Sequence, residues 1–122
     1  MKILLCEDDP VMMMVLNRTL ETLHYEVIKS TDGKEALELI KSESPDVVIT
    51  DIVLPIISGI EIVSFLKKFP GKKIPVILIS AMPVNALKNN DGDFGADGYF
   101  MKPVNAEQLK TKIEELRKFW NF

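Results

Sequence analysis

Three consecutive acids, Glu7, Asp8 and Asp9, follow the apolar run "ILLC" and precede Pro10 and three methionines. A buried strand gains nothing from ending in a knot of like charges, which repel one another and are costly to desolvate. Other polar residues close apolar runs in the same way: Asp51 ends "VVITD", Ser80 ends "VILIS" and Lys102 follows "GYFM". Acids alone would be a liability there, whereas acids with a lysine and room for a divalent cation form a coherent site. Hard oxygen ligands favour Mg2+, which takes one or two protein carboxylates, keeps waters and bridges to phosphate. A carboxylate can also attack phosphorus, giving an aspartyl phosphate. Phosphoryl transfer asks a protein chiefly for positioning and for neutralising charge on the equatorial oxygens. A metal, a lysine and a hydroxyl are suited to that task, and Asp51, ending the central run, is the best nucleophile candidate.

These residues converge only if the elements before them lie side by side. "KILLC" is a short continuous apolar run, as expected of a strand covered on both faces. Pro10 suits a helix first turn, after which Met14, Leu16, Leu20 and Leu23 recur at near-helical spacing. "YEVIKS" reads as a strand, and "TDGKEALELIKSES" as a helix capped by Thr31 or Asp32. "PDVVITDIVLP" and "IPVILISA" are further buried strands, separated by the helix "SGIEIVSFLKKF", which must stop before Pro70. "GYFMKP" is a short fifth strand, and "NAEQLKTKIEELRKFW" a closing helix with Leu109, Ile113, Leu116 and Trp120 aligned. The stretch "PVNALKNNDGDFGADG" must hold a fourth helix, and its asparagines and glycines predict a short or distorted one. Strand and helix alternating five times imply an α/β fold with a parallel sheet and helices on both faces. In such sheets ligands bind outside the carboxyl ends of the strands, where the acids, Ser80 and Lys102 fall.

Composition sets the outer bounds. A chain of 122 residues, 47% hydrophobic and 27% charged, is read as one domain able to bury a core. A net charge of −3 argues against a basic nucleic-acid surface. One cysteine forms no internal disulfide, which fits a reducing compartment. The opening "MKILLCEDD" is too short an apolar run for a signal peptide, and no run approaches the ~20 residues that span a bilayer. The expected location is cytoplasmic.

In order along the chain, "ILLCEDDP", "VVITDIVLPIISG", "VILISA" and "GADGYFMKPV" resemble the receiver domain of two-component response regulators, and the resemblance covers essentially residues 1–122. It implies a flavodoxin-like (βα)5 fold, doubly wound, with strand order 2-1-3-4-5. Asp51 is then similar to the phosphoacceptor, which is also a metal ligand, Asp8 to the direct Mg2+ ligand, and Glu7 to the acid acting through metal-bound water. The Val53 backbone carbonyl would be the third metal ligand. Ser80 matches the hydroxyl that bonds the phosphoryl group, Lys102 the lysine on a phosphoryl oxygen, and Pro103 the proline after it, commonly cis. Tyr99 matches the aromatic switch whose ring turns inward on phosphorylation. The implied partner is a sensor histidine kinase or histidine phosphotransfer protein. The implied output is a change in the face made by the fourth helix, fifth strand and closing helix, with no membrane and no direct nucleic-acid contact by this domain. The domain would assist only its own phosphorylation and autodephosphorylation. Gly98 stands where an acid is frequent, which counts against the salt-bridged dimer of winged-helix regulators.

Two other readings remain at this level. An unphosphorylated pseudo-receiver serving as a protein-binding module is opposed by the complete acid and lysine positions. A Mg2+-dependent aspartyl-nucleophile phosphatase needs an acid two residues after the nucleophile, where Val53 stands. Among the remaining residues, Asp9 is expected to be a solvated spare acid, Cys6 a buried strand residue and His24 a surface histidine. One or two of Met12, Met13 and Met14 should be exposed, as gap-fillers at the core edge or as an adaptable docking surface. Phe119, Trp120 and Phe122 are expected to cap the core.

Overall fold

The computed structural model describes residues 1–81 and 95–120. Its elements in chain order are β1 (Lys2–Cys6), α1 (Pro10–Thr22), β2 (Glu26–Ser30), α2 (Gly33–Glu43), β3 (Val47–Asp51), α3 (Gly59–Lys68), β4 (Val76–Ser80), β5 (Gly98–Met101) and α4 (Ala106–Trp120). The fourth helix expected from "PVNALKNNDGDFGADG" falls almost wholly outside the described residues, as does Phe122. All five strands pair in parallel in the order β2-β1-β3-β4-β5.

The side-chain period of two sorts each strand between two cores. Leu4, Cys6, Val48, Val76 and Leu78 face α2 and α3, with Ala36, Ile40, Ile62 and Val63. Ile3, Leu5, Val47, Ile49, Ile77 and Ile79 face α1 and α4, with Met13, Leu16, Leu20, Leu109, Ile113 and Leu116. Burial on both faces is why the strand runs carry no polar alternation. In α1 the buried set is Met13, Leu16 and Leu20, while Met14 is 59% exposed. That corrects the predicted face: Met14 and Leu16 are two residues apart and cannot share a side of a helix, whereas Met13, Leu16 and Leu20 can. In α4, Trp120 packs against the same core, and Phe119 points out at 84% exposure, so the expected aromatic cap is only partly realised.

Short polar side chains start the helices. Asp9 accepts the Val11 N–H at 2.9 Å and so caps α1 ahead of Pro10. Asp32, not Thr31, caps α2 through the Glu35 N–H at 2.7 Å, and the Glu35 carboxylate returns to the Thr31 N–H. Ser58 caps α3 through the Glu61 N–H. Each cap satisfies a donor the first turn leaves free.

Two glycines hold the loop between β3 and α3 close to the sheet. A Cβ on Gly59 would lie 2.2 Å from the Asp51 carbonyl oxygen, and one on Gly33 would lie 2.0 Å from the Ile57 carbonyl oxygen. The Gly33 N–H also donates to the Pro55 carbonyl at 3.1 Å. Any side chain at either position must displace backbone, so glycine is what lets the chain return to α3 directly beneath Asp51.

The amino-terminal edge is fastened by Asp46, which accepts the Lys2 backbone N–H at 2.8 Å and pairs with Lys72 at 2.7 Å. Partial burial pushes its carboxyl up, but these donors outweigh it and hold it below the ordinary aspartate value. A depressed folded-state value contributes stability above the unfolded value, lost as pH falls through the folded one. Asp46→Asn is therefore expected to unfold at lower urea concentration than the parent near pH 6, and the gap should close as the pH falls through the folded-state value. Urea titrations across that range check this; a constant gap would remove the electrostatic role.

Candidate functional site

The carboxyl ends of β1, β3, β4 and β5 form one edge, and the sequence-predicted residues meet there. The Lys102 ammonium lies 2.6 Å from Glu7 Oε1 and 2.7 Å from Asp51 Oδ2, so one cation bridges acids from two strands. The second oxygen of each acid is also engaged: Glu7 Oε2 accepts the Asp9 N–H, and Asp51 Oδ1 accepts the Val53 N–H, both at 3.1 Å. Lys102 is brought into register by β5, where its own N–H donates to the Ser80 carbonyl at 2.7 Å. The Lys102–Pro103 peptide is cis, as the resemblance implies.

Burial grades the acids. Glu7 is 1% exposed and Asp51 7%, while Asp8 faces solvent. Burial pushes the Glu7 carboxyl up and the negative Asp51 adds to this, with the Lys102 ammonium and the Asp9 N–H restraining the rise. For Lys102, burial pulls the ammonium down, but its bonds to Asp51 and Glu7 outweigh that and raise it, so the lysine stays charged.

One carboxylate oxygen from each of Glu7, Asp8 and Asp51 lies within 4.8 Å of the others. Oxygens sharing one Mg2+ at about 2.1 Å sit about 3 to 4 Å apart, so the three acids fit a small hard cation. Three carboxylates against one ammonium also leave an excess of negative charge. Ser80 is buried at the end of β4. Tyr99 packs against the core beside α2 and α3, its hydroxyl buried with no hydrogen-bond partner among the described residues. Asp9, expected to be a spare acid, is exposed and serves as the helix cap. Cys6 is buried beneath the site, and burial foremost pushes its thiol up to about 12. His24 lies exposed after α1 with φ 69°.

Sequence reasoning missed Ile56. It sits five residues past Asp51 with φ 73° and 74% exposure. The Ile57 N–H closes back on the Pro55 carbonyl at 2.8 Å, making Ile56 the centre of a positive-φ γ-turn. This is a rare turn, and a β-branched residue in the left-handed region is a strained occupant. Nothing in "LPIISG" but the need for a tight return to Gly59 signals it. Ile56→Gly is expected to raise stability by about 1 kcal/mol, read as a shift of the urea midpoint; an unchanged or lowered midpoint would show that the turn is not strained.

Comparison with known proteins identifies the family. The response regulator receiver domain family matches residues 3–114. The chain is 35% identical over 119 residues to the uncharacterized transcriptional regulatory protein YrkP of Bacillus subtilis, covering 97% of this chain and 50% of that protein. It is 33% identical over 115 residues to the response regulator MprA of Mycolicibacterium vanbaalenii, covering 94% and 49%. The chain thus spans about half the length of these curated relatives. Among solved structures, the chemotaxis response regulator CheY4 of Vibrio cholerae superposes with a TM-score of 0.82 at 28% identity, covering 94% of this chain and 97% of that one. The receiver domain of the sensor histidine kinase PA1611 of Pseudomonas aeruginosa gives 0.79 at 26% identity over 99% and 98%, and that structure has a magnesium ion coordinated in its active-site cleft. With the fold order, the acid edge and a family match over nearly its whole length, the chain belongs to the response regulator receiver domains of two-component systems.

Proposed function

We propose that residues 1–122 act as a single phosphorylation-activated receiver unit, with Asp51 accepting a phosphoryl group from a phosphohistidine of a sensor histidine kinase or a histidine phosphotransfer protein. The observation that carries this reading is the Lys102 ammonium bridging Glu7 and Asp51 at 2.6 and 2.7 Å, with the Asp8 carboxylate beside them. In the transfer an Asp51 oxygen forms the new O–P bond as the P–N bond breaks, and the departing imidazole nitrogen takes up a proton. Lys102 exchanges its contact with the Asp51 carboxylate for one with a phosphoryl oxygen, and Ser80 takes another. Glu7 and Asp8, with the Val53 carbonyl, would hold Mg2+, which when bound neutralises charge developing on the transferred group.

The buried Tyr99 hydroxyl, without a hydrogen-bond partner among the described residues, supports a switch role, because an unsatisfied polar group costs about 1–3 kcal/mol and biases the ring towards any state that partners it. The readout would then be a change on the face that includes β5 and α4. The unit works in the cytoplasm; among the described residues no helix is long and apolar enough to cross a membrane. It catalyses no reaction beyond its own phosphorylation and autodephosphorylation.

The test is incubation with Mg2+ and a small acyl-phosphate donor, followed by intact mass measurement. A phosphoryl adduct that a chelator abolishes is expected. Absence of an adduct from both the small donor and a kinase would favour a protein-binding module.

A further inference from the structure

The sheet has a second side beneath the acids. Cys6 and Thr50, the residues immediately before Glu7 and Asp51, are cross-strand partners in the β1–β3 register. Both are fully buried, and strand alternation directs them towards α2 and α3, away from the core face shared by Ile3, Leu5, Val47 and Ile49. The Thr50 hydroxyl donates to the Asp51 carbonyl oxygen at 2.9 Å. The Cys6 side chain packs beside Thr50 across the strand pair and fills the space around it.

The bond fixes a peptide that matters. The Asp51 carbonyl also lies where a Cβ on Gly59 would collide with it, so it is held between the first residue of α3 and the Thr50 hydroxyl. From this peptide the chain runs two residues to Val53, whose N–H holds Asp51 Oδ1. Rotation of the Asp51 peptide would therefore move both the acceptor carboxylate and the Val53 backbone. We infer that Thr50 is a positioning residue for Asp51 and for the cation-binding group around it, acting from the opposite face of the sheet. This inference rests on the proposed function of the acid edge and adds to it a buried support from the Thr50 hydroxyl.

The test is calorimetric titration of the whole chain with Mg2+, alongside the initial rate of phosphorylation by a small acyl phosphate at rising Mg2+. Thr50→Val keeps the shape and removes the donor, and should weaken Mg2+ binding about tenfold, as loss of an outer support typically does. Thr50→Ser, which restores the hydroxyl, should bind within about twofold of the parent. Ile113→Val, a core change on the far face, should lower stability with no change in Mg2+ affinity, separating positioning from general loosening. Unaltered Mg2+ affinity in Thr50→Val, with a parent that binds Mg2+ and is phosphorylated, would overturn the inference alone. A parent that does neither would overturn the underlying function as well.

Discussion

Replacing Asp51 with alanine is expected to reduce phosphorylation by a small acyl-phosphate donor to background, a loss of about 10³-fold or more. Its carboxylate ends the central strand, is 7% exposed, and is held at both oxygens by Lys102 and the Val53 N–H. Glu7 is held in the same way, by Lys102 and the Asp9 N–H, but follows β1 instead of the central strand and is only 1% exposed, and Asp8 is exposed without an ion-pair partner among the described residues. The same substitution removes one of two acids that Lys102 must balance, so the fold should persist. Circular dichroism and urea unfolding of the variant separate lost chemistry from lost structure. A variant that is folded and still phosphorylated at the parental rate would move the acceptor elsewhere.

The second large effect is on stability. Lys102→Met should destabilise the fold by about 3–5 kcal/mol at neutral pH, because it strands the buried Glu7 carboxylate beside Asp51 with no cation between them. Burial already pushes the Glu7 carboxyl up while Lys102 restrains it, so removing the lysine lets that rise continue. Glu7→Gln in the Lys102→Met background should recover most of the loss, since it removes the uncompensated charge. Saturating Mg2+ should recover part of it by binding the folded state. Urea midpoints of the single and double variants, with and without Mg2+, decide this. A Lys102→Met protein as stable as the parent would mean the bridge contributes nothing to the fold.

Much of the architecture was legible because burial on both faces leaves continuous apolar strands, and the helices between them leave no pairing but parallel. The site was legible for the same reason: in a parallel sheet each strand delivers its last residue to one edge, so Glu7, Asp51, Ser80 and Lys102 had to converge. What escaped is set by angle and backbone. Met14 and Met13 differ by one position, about 100° of helix, and composition cannot tell which of two methionines faces in. Asp9 looked idle among metal-like acids because capping depends on the φ and ψ of one residue. Ile56 gave no sign of a positive φ, since the Ile57 N–H to Pro55 carbonyl bond that closes its turn is made by the backbone and leaves no mark in the residue types. Cys6 and Thr50 read as plain strand residues until the register placed them side by side.

The central claim is that Asp51 becomes an acyl phosphate, and peptide mapping tests it most directly. After incubation with Mg2+ and a small acyl phosphate, the account predicts a phosphoryl group on the peptide containing Asp51, released by hydroxylamine as a mixed anhydride is. A phosphoryl group on any other residue, or one at Asp51 that forms equally well in a chelator, would contradict it.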